Sequence, residues 1–210
     1  MHLVDQIKAK ARESLQTVVL PESYDDRMIE AAGQIVGDGL AKVVLLGNPA
    51  ALQTKARELG ASLDGVELID PKNSPALDSY IAELVELRAK KGMTPEQAKE
   101  TLTAEDNLFY GAMMVRKGDA GGMVAGAYNT TGDVLRAAFQ VIGTAPGIKT
   151  VSSVFLMITR NTDFGENGVL CFADCAVNPN PDAQALAEIA ISTAASCKSF
   201  LGVEARVAML

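Results

Sequence analysis

The chain has 210 residues, 48% hydrophobic and 21% charged, enough to bury a sizeable core. A formal net charge of −7 argues against a nucleic-acid surface. The single histidine, His2, excludes Ser-His-Asp and Cys-His catalysis inside the chain.

Other broad classes fall away for similar reasons. MHLVDQIKAKARESLQ lacks the apolar stretch of a signal peptide. Runs such as VFLMI are far shorter than the roughly 18 residues of a membrane span. The expectation is a cytoplasmic protein without a membrane partner. Cys171, Cys175 and Cys197 show no zinc spacing and are expected as reduced, buried thiols. No carboxylate cluster suggests a metal, and none is expected.

In chain order, TVVL (17–20) reads as a strand. A helix follows, with Ser23 as its expected N-cap and Met28, Ile29, Ala32, Ile35 and Val36 on one face. AKVVLLG (41–47) is the next strand, and Asn48-Pro49 opens a helix that Gly60 ends. VELID (66–70) is a third strand. Ser74-Pro75 starts a helix over 75–91 that closes at Gly92; Thr94-Pro95 starts a short one; AEDNLFYGAMMVRKG predicts another, ending at Gly118. Strands of continuous apolar residues alternating with helices predict a parallel sheet covered on both faces.

GGMVAGA (121–127) predicts a strand of small residues that permits close approach, YNTT a loop, and GDVLRAAFQVIG a helix. GTAPG (143–147) marks a domain boundary. KTVSSVFLMIT (149–159) and GVLCFADCAV (168–177) predict two strands, with hairpin chemistry in the loop RNTDFGENG. Ser152 and Ser153 read as strand residues rather than nucleophiles; Asp174 and Asn178 end a strand. A long helix, with Pro181 near its first turn, runs to Gly202, and EARVAML (204–210) predicts a last strand.

The stretch from Gly121 to Gly147 has two readings. Thr130 followed by Asp133 fits a capping box, so a plain capped helix explains it. The alternative is an anion-binding corner. Ligands of open α/β sheets sit at the C-terminal ends of strands. There a helix N-terminus, the side chains of Asn129, Thr130 and Thr131, and the planar cation of Arg136 could meet phosphate. Asp133 in the first turn opposes a bare dipole site.

Read together, VVLPESYDDRMIEAA, LRAKKGMTPEQA, KGDAGGMVAGA, TTGDVLRAAFQVIGTAPGIKTVSSVFLM and FADCAVNPNPDAQALAEIA resemble the phosphate acetyltransferase (phosphotransacetylase) family, in the family's order and over essentially the whole chain. The resemblance implies reversible transfer of acetyl between coenzyme A and inorganic phosphate, by direct attack of the CoA thiolate on acetyl phosphate. It implies a layered α/β/α, two-domain fold like that of isocitrate and isopropylmalate dehydrogenases, usually a homodimer, with no permanently bound cofactor. The partners it implies are CoA, acetyl phosphate and phosphate.

By the same resemblance Asn129, Thr130, Thr131 and Arg136 bind substrate, and Arg88 binds CoA. Residues 1–143 correspond to a first α/β domain lacking its C-terminal segment, and 144–210 to the start of a truncated second domain. The family's Ser-Arg-Gly motif and proposed aspartate base would lie beyond Leu210, so the 210 residues are expected to be a fragment inactive alone. Gly121 stands where the family usually has Asp. The alternatives are a phosphate butyryltransferase and a non-catalytic, acetyl-CoA-sensing domain; a decarboxylating dehydrogenase would need the carboxylate cluster that is lacking.

Overall fold

The structure, a computed structural model, describes residues 3–210; His2 lies outside the described residues. Two compact units emerge, one spanning Val4–Gly143 and the other containing Thr144–Leu210. Among the described residues no helix is long and apolar enough to cross a membrane.

After helix α1 (Leu3–Glu13), the first unit alternates β1 (Thr17–Leu20), α2 (Asp26–Gly37), β2 (Lys42–Leu46), α3 (Pro49–Leu59) and β3 (Glu67–Ile69). Helices α4 (Leu77–Leu87), α5 (Pro95–Leu102) and α6 (Leu108–Lys117) follow, then β4 (Gly122–Met123) and α7 (Thr131–Ala137), which a π-helical segment, Ala138–Ile142, extends. The strands form one parallel sheet in the order β3-β2-β1-β4.

The unbroken apolar run of β2 follows from two-sided burial. Val44 and Leu46 join a core with Leu84, Leu102 and Met113 of α4, α5 and α6. Val43 and Leu45, on the opposite face, join Ile29, Ala32 and Leu52 of α2 and α3. Gly60, Gly92 and Gly118 end their helical segments in the left-handed conformation, as their positions predict.

The second unit holds an antiparallel pair, β5 (Phe155–Ile158) and β6 (Val169–Phe172), followed by α8 (Ala183–Leu201). The pairing agrees with the hairpin chemistry of the connecting loop. The strands are shorter than predicted because neighbouring backbone bonds to carboxylates instead of a ladder. Lys149 and Thr150 N–H groups donate to Glu188, and those of Ser153, Val177 and Asn178 donate to Asp174.

Four other expectations are corrected. Residues 204–210 form no strand, since none of the described strands pairs with them. The 121–127 strand is only Gly122–Met123, because from Gly126 onward the backbone N–H groups donate to the Glu22 carboxylate instead of a neighbouring strand. The 75–91 helix stops at Leu87, and a 3-10 turn covers Ala89–Lys91. The N-cap of α2 is Asp25 rather than Ser23: Asp25 accepts from Arg27 N–H, while the Ser23 hydroxyl donates to the Leu46 carbonyl.

Candidate functional site

The sheet order reverses direction between β1 and β4, and the loops leaving these strands meet at the C-terminal edge where open α/β sheets hold ligands. From β1 comes Pro21-Glu22-Ser23-Tyr24; from β4 comes Val124 to Thr130.

The first loop is rigidly placed. Besides the Ser23–Leu46 bond, the Asn107 amide donates to the Pro21 carbonyl at 3.2 Å and more weakly to Leu46 at 3.4 Å. Gly47 has φ +152°, and a Cβ there would come within 2.8 Å of the Ser23 hydroxyl, so glycine is required on both counts. This stitching aims Glu22 inward, and its side chain is completely buried.

Glu22 organises the second loop. Its Oε2 accepts from the N–H groups of Gly126 and Ala127, both at 2.7 Å. Its Oε1 accepts from the N–H of Tyr128 at 3.2 Å, the N–H of Asn129 at 2.7 Å and the Asn129 side-chain amide at 2.9 Å. Burial pushes the Glu22 carboxyl up, but the amide donors outweigh it and leave the group below the ordinary glutamate value. Gly126, at φ +106°, supplies the backbone bend that turns these N–H groups to one point. Arg27, paired with Asp25 at 2.6 Å, also donates to the Ala127 carbonyl at 2.6 Å. The Asn129 amide donates to the Tyr24 hydroxyl at 2.6 Å, and Tyr24 and Tyr128 pack edge to face with centroids 5.2 Å apart.

The structure places Asn129, Thr130, Thr131 and Arg136 on one loop and helix start, three of them with partners of their own. Asn129 is engaged by Glu22 and Tyr24. Thr130 caps α7, accepting from Asp133 N–H at 3.2 Å and donating to its carboxylate at 2.6 Å. Arg136 pairs with Asp133 yet stays half-exposed. The Thr130 hydroxyl, followed by Arg136, holds the Asp133 carboxyl below its ordinary value. Thr131, the first residue of α7, is exposed.

Arg88 ends α4, and among the described residues no hydrogen bond or ion pair joins it to this corner. Its Nε is buried without a partner, a costly state for a cationic donor and one that a phosphate oxygen could relieve. Beside the corner a cavity of about 540 Å³ opens over the ends of β1, β2 and β3, lined among others by Tyr24, Asn48, Lys55, Asp70 and Lys72.

A separate polar knot lies in the second unit. Asp174 Oδ1 accepts from the Ser153 N–H and hydroxyl, both at 2.7 Å, and Oδ2 from Val177 and Asn178 N–H at 2.9 and 2.5 Å. The Ser153 oxygen in turn accepts from Cys175 and Ala176 N–H. Burial raises the Asp174 carboxyl, but these donors win and hold it far below the ordinary range. Burial pushes the Cys171 thiol up to about 11, with neighbouring Cys197 adding to the shift, so it is protonated at neutral pH.

Comparison with known proteins decides the family. The phosphate acetyl/butaryl transferase family matches residues 2–210. The chain belongs to that family. It is 47% identical over its whole length to a phosphate acetyltransferase of Thermoanaerobacterium thermosaccharolyticum, covering 63% of that protein. It is 48% identical to one of Acetivibrio thermocellus, covering 62%. A phosphotransacetylase structure from Streptococcus pyogenes superposes with a TM-score of 0.86 at 36% identity, over 94% of this chain and 58% of the other. The chain thus spans less than two thirds of the length of these relatives, and its α/β architecture, a parallel sheet flanked by helices, matches phosphotransacetylase structures.

Glu22 was not anticipated: the one local signal was a charged residue two positions past an apolar strand, while its partners, 104 residues away, show only in the fold.

Proposed function

We propose that this chain acts in the reversible transfer of an acetyl group between coenzyme A and inorganic phosphate. The observation that carries the reading is the family match over residues 2–210, with relatives named phosphate acetyltransferase at 47–48% identity. In this reaction the CoA thiolate attacks the carbonyl carbon of acetyl phosphate. A C–S bond forms, the bond from that carbon to the bridging oxygen breaks, and phosphate leaves with that oxygen and the electron pair. A thiol of pKa about 8.5 needs only a modest base, and the tetrahedral intermediate needs donors at its oxyanion.

The roles follow from the corner. Thr131 and the free edge of the Arg136 guanidinium meet the acyl phosphate, with Asn129 and Thr130 shaping the wall; Arg88 meets a phosphate of CoA. No base is assigned within the 210 residues, and in this reading it comes from outside them. The same reading takes the fold as the two-domain isocitrate/isopropylmalate dehydrogenase type. Residues 1–143 belong to one domain and 144–210 to the other, in a cytoplasmic homodimer without a resident cofactor.

The test is steady-state acetyl phosphate formation by the protein as the cell makes it, with butyryl-CoA in parallel. Arg136→Ala is expected to lower kcat/KM by about 10- to 100-fold, the loss of one charge-assisted contact, with thermal unfolding unchanged. Wild-type kinetics in that variant would return Arg136 to a simple helix-surface role. A higher kcat/KM for butyryl-CoA would move the assignment to a butyryltransferase. Robust turnover by the 210 residues alone would place the base inside them.

A further inference from the structure

Four successive backbone N–H groups, Gly126 to Asn129, converge on one point, the geometry by which proteins bind free anions. Here the point is filled by the chain's own Glu22, fully buried and held by five neutral amide donors at 2.7–3.2 Å. We infer that Glu22 is a positioning residue, a built-in anion that fixes the 126–129 loop and keeps phosphate out of this nest. Any anionic substrate at the corner is thereby displaced onto Thr131 and Arg136.

Physical requirements support both halves. Four N–H groups aimed at one point repel one another unless an acceptor sits among them, and burial without one costs about 1–3 kcal/mol per group. A free anion would leave the loop ordered only when bound. A tethered carboxylate orders it permanently, so the groups beside it are in place before substrate arrives. Glu22 can do this because its own backbone is immobile: Asn107 holds Pro21, and the Ser23 hydroxyl is bonded to Leu46. Arg27, donating to the Ala127 carbonyl, orients the loop from its other side without occupying the nest. The purpose assigned to the ordered loop rests on the acyl-transfer reading; the holding of the loop does not.

The experiment is residue-resolved hydrogen exchange at the amides of residues 126–129, in wild type, Glu22→Gln and Glu22→Ala, each with and without sodium formate. Glu22→Gln keeps the shape but turns an NH2 toward N–H donors, and exchange there is expected to rise about 10- to 100-fold, with β1 and β2 unchanged. In Glu22→Ala the loop is expected to lose protection and to regain it on adding formate, a detached carboxylate of the right size. Formate is expected to do nothing in wild type. Unchanged exchange in Glu22→Gln, or protection in Glu22→Ala that ignores formate, overturns the inference; Glu22→Gln decides it alone if the alanine variant does not fold. In the active protein, Glu22→Gln is expected to lower kcat more than it raises KM for CoA. If the exchange results hold and the whole wild-type protein as the cell makes it, not only the 210 residues, shows no turnover, the acyl-transfer reading fails while the role of Glu22 in holding the loop stands.

Discussion

In β2 of the first unit, Val43 to Leu46 are each at most 1% exposed; in β5 of the second, Phe155 is 57% and Met157 46% exposed. Both segments are runs of large apolar residues. The difference lies in their neighbours. β2 has a strand on either side and helices against both faces, whereas β5 has one partner strand. The first unit is held by its apolar interior. The second depends to a greater degree on polar bonds, with Asp174 and Ser153 collecting the backbone donors that its short strands leave over. Apolar composition alone does not make a core; enclosure does.

The two units can be followed separately. The chain has no tryptophan, and its four tyrosines, Tyr24, Tyr80, Tyr110 and Tyr128, all lie in the first unit, so tyrosine fluorescence follows that unit alone. The largest effect is expected from Leu46→Ala, which empties a fully buried site and lowers stability by about 2–5 kcal/mol in tyrosine-detected urea unfolding. Phe155→Ala, by contrast, read by hydrogen exchange over residues 155–172 because no tyrosine lies in its unit, is expected to change stability by about 0.5 kcal/mol; a loss as large as that of Leu46→Ala would show that β5 is enclosed.

Ser153→Ala removes one hydroxyl donor to Asp174 and the acceptor of two N–H groups. An expected loss of about 1–3 kcal/mol should appear as faster hydrogen exchange over residues 150–178, with the tyrosine transition in place. A matching shift of the tyrosine transition would show that the two units unfold as one.

Acid provides a gentler test. Glu22 and Asp174 both titrate below their ordinary values of 4.5 and 3.8, so each contributes stability that is complete above those values. That stability is lost as pH falls toward the depressed native values. Tyr24 and Arg27 are among the ionisable groups that interact with Glu22. Glu22→Gln should flatten the acid limb of the tyrosine signal, and Asp174→Asn that of exchange at 150–178. If either variant keeps the full acid dependence, its carboxylate is not the group being titrated.

Much of the first unit was legible because its signals are local. Alternation of apolar runs and helical faces located the parallel strands, and the glycines at 60, 92 and 118 marked helix ends through a conformation that other residues resist. The Thr130–Asp133 cap is local too, whereas the pairing of Arg136 with Asp133, though only three residues apart, was not anticipated. What else escaped was set at a distance. Nothing around Glu22 says that its partners lie at 126–129, and the apolar alternation of 204–210 cannot show whether a sheet edge waits for it. Ser23 was misassigned for a related reason: its hydroxyl found a carbonyl on β2, a competitor invisible within its own helix start.

Asn107 carries a consequence for how the molecule comes into being. Its side chain ties together carbonyls 86 and 61 positions earlier, at the ends of β1 and β2, from a left-handed backbone at φ 54°. Loops of that length close at an entropic cost that local contacts do not bear. A nascent chain can pair β1 with β2 early, but it cannot knot their ends until α6 has emerged, nor receive the 126–129 loop until later still. The corner is thus completed only well after the strands it joins have emerged, and until then their ends stand open to the wrong neighbours.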